Sequence, residues 1–162
     1  MVVVLQKVQE SEKMILRNLY SLYLHDLSKF TTNIKIGADG FFEYEDLDMF
    51  WKNDGITPYF IKVDHSIVGF LLLLERPFLK KENDFGINDI FILNQYKGKG
   101  IGKQVIENLL KEKRGKYFVI ELAKNVPAVS FWEKVYRELN IEFDERKQLI
   151  DGEECLVQTF KV

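Results

Sequence analysis

The sequence lacks most features that mark secreted, membrane-spanning or metal-dependent proteins. It has a single cysteine, Cys155, which excludes an intrachain disulfide and indicates a reducing compartment. No His, Cys and carboxylate cluster has ligand spacing, so no metal site is predicted. The longest apolar stretch, Ile67 to Leu74 with one glycine inside it, is too short for a membrane span of about 20 residues. We therefore expect a cytoplasmic protein with no membrane partner.

Neither sign of charge dominates. The chain carries 23 basic and 25 acidic residues, a formal net charge of −2, which gives no electrostatic reason to expect nucleic acid as a partner. Its 46% hydrophobic and 30% charged residues are typical of a soluble globular protein. At 162 residues, the chain most economically forms a single domain spanning residues 1–162.

The most informative stretch runs from Asp84 to Lys113. It opens with an apolar run, Ile87 to Leu93, that suits a strand buried on both faces. Gly98, Gly100 and Gly102 then fall at every second position, and an amphipathic helical pattern follows them. Glycines allow close backbone approach, and the first turn of a helix offers unpaired N–H groups. The order strand, glycine turn, helix therefore predicts a phosphate or pyrophosphate site.

Other interpretations of the glycines compete with this one. A Walker-type loop needs Ser or Thr after Gly-Lys, whereas Gln104 follows Lys103. A Rossmann fingerprint has the spacing G-x-G-x-x-G, whereas the spacing here is G-x-G-x-G. A tight turn without a ligand and a nucleotide-phosphate-binding protein remain as alternatives.

The remaining pattern predicts the order β-α-α-β-β-β-α-β-α-β-β. A helix is expected from about Glu12 to Asp26, with Met14, Ile15, Leu19, Leu22 and Tyr23 as its apolar positions. A second short helix is expected over Glu45 to Lys52. The other predicted elements are strands at Val2–Leu5, Pro58–Val63, Ser66–Leu74 and Tyr117–Leu122, a helix opening at Asn125-Val126-Pro127, and a hairpin of Ile141–Ile150 and Glu153–Val162.

Two motifs resemble one known family. Gln95-x-x-Gly98-x-Gly100 resembles the Q/R-x-x-G-x-G/A signature of the GCN5-related N-acetyltransferases (GNAT family). The segment from Asn125 to Lys134 resembles the second half of that signature, usually N-x-x-A-x-x-F-Y-x-K. The resemblance covers about Ile87 to Tyr136. It implies an α/β (α+β) GNAT-like acyl-CoA N-acyltransferase fold, with a mixed sheet of about seven strands flanked by about four helices.

The resemblance also implies a cofactor, acetyl-CoA, and a role for each matching residue. Backbone N–H groups from Gly98 to Lys103 would hold the pyrophosphate. Backbone groups of the 91–93 segment would pair with the pantetheine arm like an added strand. Asn125 would hydrogen-bond that arm, and Phe131 would pack against it. The implied cofactor-binding residues are Phe91, Ile92, Leu93, Lys97, Gly98, Lys99, Gly100, Ile101, Gly102, Lys103, Asn125, Phe131 and Trp132.

Acetyl transfer to an amine needs a base for the ammonium and a proton for the departing thiolate. Asp89, just before the cofactor-binding segment, is favoured as the base, and Glu121 on the neighbouring strand is its competitor. Trp132 occupies the position usually given to a tyrosine acid, and an indole N–H is far too weak an acid. Tyr136, one turn later, or water would then supply the proton.

The resemblance implies an acetyl-CoA-dependent N-acetyltransferase that acts on a primary amine by direct attack in a ternary complex. A small-molecule amine is favoured over a protein. Acidic residues of the N-terminal half would favour a cationic acceptor: Asp26, Glu43, Glu45, Asp46 and Asp48. Trp132 keeps open the alternative of a non-catalytic acyl-CoA-binding regulatory module. A homodimer formed through the terminal hairpin is a further expectation.

Overall fold

A seven-stranded mixed sheet organises the chain in the computed structural model, which describes residues 1–44 and 46–162. The strands are β1 Val3–Lys7, β2 Ile56–Val63, β3 Ser66–Glu75, β4 Phe85–Ile92, β5 Lys116–Leu122, β6 Phe143–Ile150 and β7 Glu153–Lys161. The α-helices are α1 Lys13–Leu27, α2 Ile101–Glu112 and α3 Val126–Glu138. The predicted mixed α+β architecture is confirmed.

The strand order across the sheet is β1-β2-β3-β4-β5-β7-β6. Every neighbouring pair is antiparallel except β4 and β5, which are parallel and joined through α2. Their pairing covers only Phe85–Ile87 against Tyr117–Val119. Beyond those residues the two strands diverge, so a gap opens in the middle of the sheet toward the carboxyl ends of both strands. This gap lies directly before the glycine-rich turn.

Two apolar cores cover the two faces of the sheet. One face is covered by α2 and α3, whose buried residues include Val105, Leu109 and Val135. The other face is covered by α1 and a short 3₁₀ helix, Leu47–Trp51. We call these the α3 face and the α1 face. Among the helices that the structure describes, none has both the length and the apolar character needed to cross a bilayer.

The segment predicted as a second helix is a single 3₁₀ helix. Leu47 and Phe50 are both buried, and their three-residue spacing matches the period of a 3₁₀ helix. Glu45, where the predicted helix began, lies outside the described residues. The part of the chain that the structure describes therefore has three α-helices where about four were expected.

The predicted inner face of α1 is wrong for most of its positions. Met14, Ile15 and Leu22 are exposed. The buried residues are Leu16, Leu19, Tyr20 and Leu24. Apolar residues occur almost all round this helix, so its periodicity alone is compatible with two different buried faces. The observed rotation turns two tyrosines toward β4, which matters for the site described below.

Candidate active site

The glycine-rich turn presents a run of unused backbone donors. Gly98 and Gly100 have φ of +76° and +79°, in the left-handed region that favours glycine. Gly100 is the N-cap of α2, and the first helical N–H that pairs is that of Gln104, with the Gly100 carbonyl at 3.0 Å. Within the described chain, no N–H of residues 98 to 103 donates a hydrogen bond to a protein acceptor. These N–H groups and the positive end of α2 form a cradle suited to an anion.

The gap between β4 and β5 continues from this cradle. The β3–β4 pairing shifts register at Asn88, since Leu72 faces Asp89 while Leu73 faces Ile87. This bulge re-aims the residues that follow it. The Leu93 N–H donates to the Val68 carbonyl of β3 at 2.8 Å. Because the backbone groups of successive residues in a strand point in opposite directions, the N–H and C=O groups of Ile90 and Ile92 point away from β3, into the gap.

This alternation corrects the expected contacts of the 91–93 segment. The backbone of Phe91 points toward β3, where it pairs with Phe70, and the Leu93 N–H is already used. Of the three expected residues, only Ile92 offers its N–H and C=O to the gap. Ile90, two residues earlier, offers the same groups and was missed. The bulge at Asn88 hides this alternation from a reading of the sequence.

The second motif lies beside the gap and contacts the first. Asn125 is the N-cap of α3, where its Oδ1 accepts from the Ala128 N–H at 3.3 Å, so its Nδ2 remains as a donor. A Cβ at Gly102 would come within 2.7 Å of Phe131, so this glycine lets α2 and α3 approach closely. Trp132 is buried beneath α3, with its ring edge-on to that of Phe131.

The comparisons with known proteins agree with this arrangement. The model of the acetyltransferase (GNAT) family matches residues 17–136, which include the gap, the glycine-rich turn and most of α3. The chain belongs to the GNAT family. No curated protein matches the sequence significantly.

Solved structures show the same GNAT fold at low sequence identity. An acetyltransferase from Thermus thermophilus superposes with a TM-score of 0.72 at 14% identity, covering 100% of this chain and 98% of that one. An aminoglycoside acetyltransferase in complex with coenzyme A gives 0.68 at 14% identity, covering 99% and 95%. A ribosomal L7/L12 α-N-protein acetyltransferase, also with coenzyme A, gives 0.63 at 14% identity, covering 99% and 93%. Acetyl-CoA is accordingly the cofactor of this GNAT protein, and the cradle fits its pyrophosphate.

The lysines of the cradle differ in their surroundings. Lys97 lies 3.8 Å from Asp26 of α1, and Lys103 lies 3.2 Å from Glu138 of α3. Lys99 is exposed and lies over the ring of Tyr96. Two of the three ammonium groups thus already have carboxylate partners. The backbone N–H groups, rather than lysine side chains, are the main anion-binding feature.

Asp89 is held from the α1 face by two tyrosines one helical turn apart. Tyr20 donates to its Oδ2 at 2.8 Å, and Tyr23 donates to its Oδ1 at 3.0 Å. Asn88 adds a longer bond of 3.3 Å to Oδ2. Burial raises the pKa of Asp89, and these three donors oppose that rise. Burial and the nearby carboxylate keep the pKa of both phenols well above the usual value, so they remain donors.

Glu121 lies on the opposite face of the sheet from Asp89. It is only 7% exposed, and neither carboxyl oxygen has a hydrogen-bond partner within the described chain. Gln158 is close enough to lower the pKa slightly, but its amide donates instead to Glu145 at 2.9 Å. Burial, followed by the negative charge of Glu145, raises the pKa of Glu121 to about 8. The structure therefore does not bring the two carboxyls together.

Tyr136 does not reach the gap, contrary to expectation. Its hydroxyl donates to Gln158 at 2.8 Å in a fully buried hydrogen bond. Gln158 belongs to β7, which lies on the far side of β5 from β4. The ring is enclosed by Trp132, Phe143 and Phe160. Tyr136 therefore supports the core rather than facing the cofactor.

The acidic N-terminal half is largely neutralised by internal partners. Arg17 binds both Asp39, at 2.8 Å, and Glu43. Asp48 pairs with Lys13 at 2.5 Å, and Asp26 faces Lys97. Three of the five residues expected to attract a cationic acceptor, Asp26, Glu43 and Asp48, therefore have cationic partners, and Glu45 lies outside the described residues. Among the described residues, no group of three or more His, Cys, Asp or Glu is arranged to hold a metal ion.

Replacing Gly100 with alanine should weaken coenzyme A binding about tenfold. A Cβ there meets no atom within 4 Å, so the cost comes from the positive φ, about 1–2 kcal/mol, which would distort the cradle. Gly152→Ala is the matched control, because Gly152 also has open space and a φ of +78° but lies in the β6–β7 turn. Calorimetric titration should show weaker binding for Gly100→Ala alone. Equal affinities in both variants would contradict the cradle.

Glu121 should make stability depend on pH. Its pKa rises from 4.5 in the unfolded chain to about 8 on folding. Its contribution to the free energy of unfolding is therefore fully present below pH 4.5 and is lost as the pH rises toward 8. The slope is at most about 1.4 kcal/mol per pH unit. Urea unfolding between pH 5 and 8 should therefore show that the free energy of unfolding falls less steeply with pH in Glu121→Gln than in the wild type. Glu142→Gln, at an exposed position, should keep the wild-type slope.

Proposed function

We propose that this GNAT acetyltransferase transfers the acetyl group of acetyl-CoA to the primary amine of a small molecule, by direct attack in a ternary complex. The observation that carries the proposal is the position of Asp89. This half-buried carboxylate lies directly after the Asn88 bulge, where the gap between β4 and β5 opens. An acetyl-CoA molecule held by the cradle and the gap would place its thioester beside this carboxylate.

Asp89 is suited to take the proton of an ammonium group. Burial raises its pKa above the usual value, which makes it a stronger base, while hydrogen bonds from Tyr20 and Tyr23 help to keep it ionised. An incoming ammonium would lose a proton to Asp89, directly or through one water. The neutral amine would then attack the thioester carbon from the α1 face.

The backbone of Ile90 supplies the polarising group for the thioester. Its N–H points into the gap one residue beyond Asp89, since strand alternation directs it away from β3. A hydrogen bond from this N–H to the thioester oxygen would strengthen as negative charge develops there. Ile92 would pair with the pantetheine arm further along the gap.

The surroundings of Asp89 favour a slender acceptor. The carboxylate lies beneath α1 and within an aromatic group of Tyr20, Tyr23, Tyr44, Phe70 and Phe91. A half-buried carboxylate surrounded by packed rings is more accessible to a primary amine on a short alkyl chain than to a folded protein surface. The solved relatives include both an aminoglycoside acetyltransferase and a ribosomal-protein acetyltransferase, so both acceptor classes belong in the assay.

The proposal is tested by titrating acetyl-CoA calorimetrically and then measuring thiol release with a panel of amines. The panel should contain spermidine, kanamycin, a small alkylamine and a lysine-containing peptide. Binding followed by amine-dependent thiol release is the expected result. Binding with no release from any amine would favour the non-catalytic acyl-CoA-binding module. Release with the peptide alone would overturn the small-molecule assignment.

Asp89→Asn should lower kcat about 10²-fold at neutral pH with little change in the affinity for acetyl-CoA. The amide keeps the shape of the side chain but cannot take a proton. The loss should shrink as the pH is raised, because more of the amine then arrives neutral. Asp64→Asn, in the β2–β3 turn, is the matched control and should retain the wild-type rate. An Asp89→Asn enzyme with unchanged kcat would exclude Asp89 as the base.

A further inference from the structure

Among the residues that the structure describes, the gap has the proposed base on one face but no evident acid for the departing thiolate. The indole at position 132 cannot supply a proton, and the Tyr136 hydroxyl is committed to Gln158. Tyr20 and Tyr23 donate to Asp89 from the other face. A protonated side chain near the thioester, on the α3 face, would complete the chemistry.

Glu121 meets the chemical requirement for such an acid. A carboxylate that is only 7% exposed, and whose oxygens have no hydrogen-bond partner among the described residues, is costly, whereas a neutral carboxylic acid is tolerated. The charged groups near it are also negative: Glu145 of β6 and Glu133 of α3. Gln158 of β7 gives its amide to Glu145 and accepts from Tyr136, so it holds neither Glu121 oxygen. Burial and these negative charges favour the protonated form of Glu121, and the nearby Gln158 amide opposes them only in part.

The strand register brings Glu121 to the level of the reacting thioester. The last β4–β5 pair is Ile87 with Val119. Counting onward, with Asn88 as the extra residue of the bulge, Asp89 is level with Ile120 and Ile90 is level with Glu121. Ile90 packs against the core of the α3 face, and Glu121 lies on that same face. By this count the backbone of Glu121 lies at the height of the Ile90 N–H, while its carboxyl lies near Gln158, Glu145 and Glu133.

We propose that Glu121 is the general acid that protonates the departing coenzyme A sulfur. This inference rests on the proposed function, because it assigns the second half of that reaction. The three rotatable bonds of the glutamate side chain allow its carboxyl to turn from the neighbourhood of Gln158 toward the gap. Asp89 and Glu121 would then act on one thioester from opposite faces of the sheet.

These two residues can carry out all the proton transfers that the reaction requires. When the tetrahedral intermediate collapses, the C–S bond breaks and its electron pair passes to sulfur. The Glu121 proton forms the new S–H bond, while the nitrogen loses its second proton toward Asp89. Asp89 must pass the first proton of the ammonium to solvent before it accepts the second, so it releases two protons in each turnover. Glu121 recovers one proton from solvent, and the net release is one proton. No oxidant, metal or further reactant is consumed.

The two environments favour opposite protonation states, as an acid–base pair requires. Asp89 accepts three hydrogen bonds, which favour its ionised form. Glu121 accepts none and has a pKa of about 8, so it is mostly protonated at neutral pH. An acid must hold its proton to act, so kcat should fall as the pH rises through about 8.

The kinetic test compares Glu121→Gln with the wild type across pH 6 to 10, using whichever panel amine gives the fastest thiol release. Glu121→Gln should lower kcat about 10²-fold, leave the affinity for coenzyme A nearly unchanged and remove the fall of kcat at alkaline pH. We call the fall of kcat at alkaline pH the alkaline limb of the pH profile. A variant with wild-type kcat and an unchanged alkaline limb would overturn the assignment. Loss of coenzyme A binding together with kcat would show that Glu121 is structural.

Neighbouring carboxylates provide the controls. Removing the negative charge of Glu145, as Glu145→Gln, should lower the pKa of Glu121 and move the alkaline limb to lower pH without abolishing turnover. Glu107→Gln, on the far turns of α2, should leave the limb in place. A purely structural Glu121 would give no shift of the limb with Glu145→Gln.

A second measurement separates this inference from the proposed function, because it requires no acceptor. The ¹³C-labelled Glu121 carboxyl is titrated by NMR in complexes with coenzyme A and with desulfo-coenzyme A, which lacks the thiol. A side chain that contacts the sulfur should titrate differently in the two complexes. Identical titrations would overturn the assignment even if an amine is acetylated. Different titrations with no turnover on any amine would refute the acceptor proposal alone.

Discussion

The early end of the β4–β5 pairing is the constraint on which the rest of the site depends. Strands hydrogen-bonded along their whole length leave no room for a ligand inside a sheet. Here the pairing stops after Val119, and the backbone of β4 beyond Ile87 is left with unpaired groups on one side. A buried, unpaired edge is unfavourable unless something completes it. The pantetheine arm of acetyl-CoA is the strand-like partner that we propose for this edge.

The gap also explains why each face of the sheet carries different chemistry. The cradle of unused N–H groups, α2 and α3 lie on one face, while α1 and its tyrosines lie on the other. The thioester of a cofactor lying in the gap could be reached from both faces of the sheet. Its pyrophosphate could be reached from only one face. The acceptor and the cofactor can therefore reach the same atoms without competing for the same surface.

Local features of the site could be predicted from the sequence, and long-range ones could not. The glycine turn, the start of α2 and the N-cap at Asn125 depend on residues within a few positions of one another, so their motifs identified them. The two tyrosines that bind Asp89 were missed, because the contacts join positions 69 and 66 residues apart and the apolar pattern of α1 is compatible with two different buried faces. The Asn88 bulge and the separation of Asp89 from Glu121 likewise depend on how strands pair, which no single stretch encodes.

The contact between Gly102 and Phe131 links the two halves of the family signature. An aromatic ring on α3 occupies the space that a side chain on the first turn of α2 would need. The two positions are therefore coupled: a larger residue at 102 requires the ring at 131 to move or to be replaced by something smaller. Evolutionary change in this protein should pass through paired substitutions there. The glycine-rich turn proposed to hold the pyrophosphate and the helix α3 beside the gap would consequently diverge together.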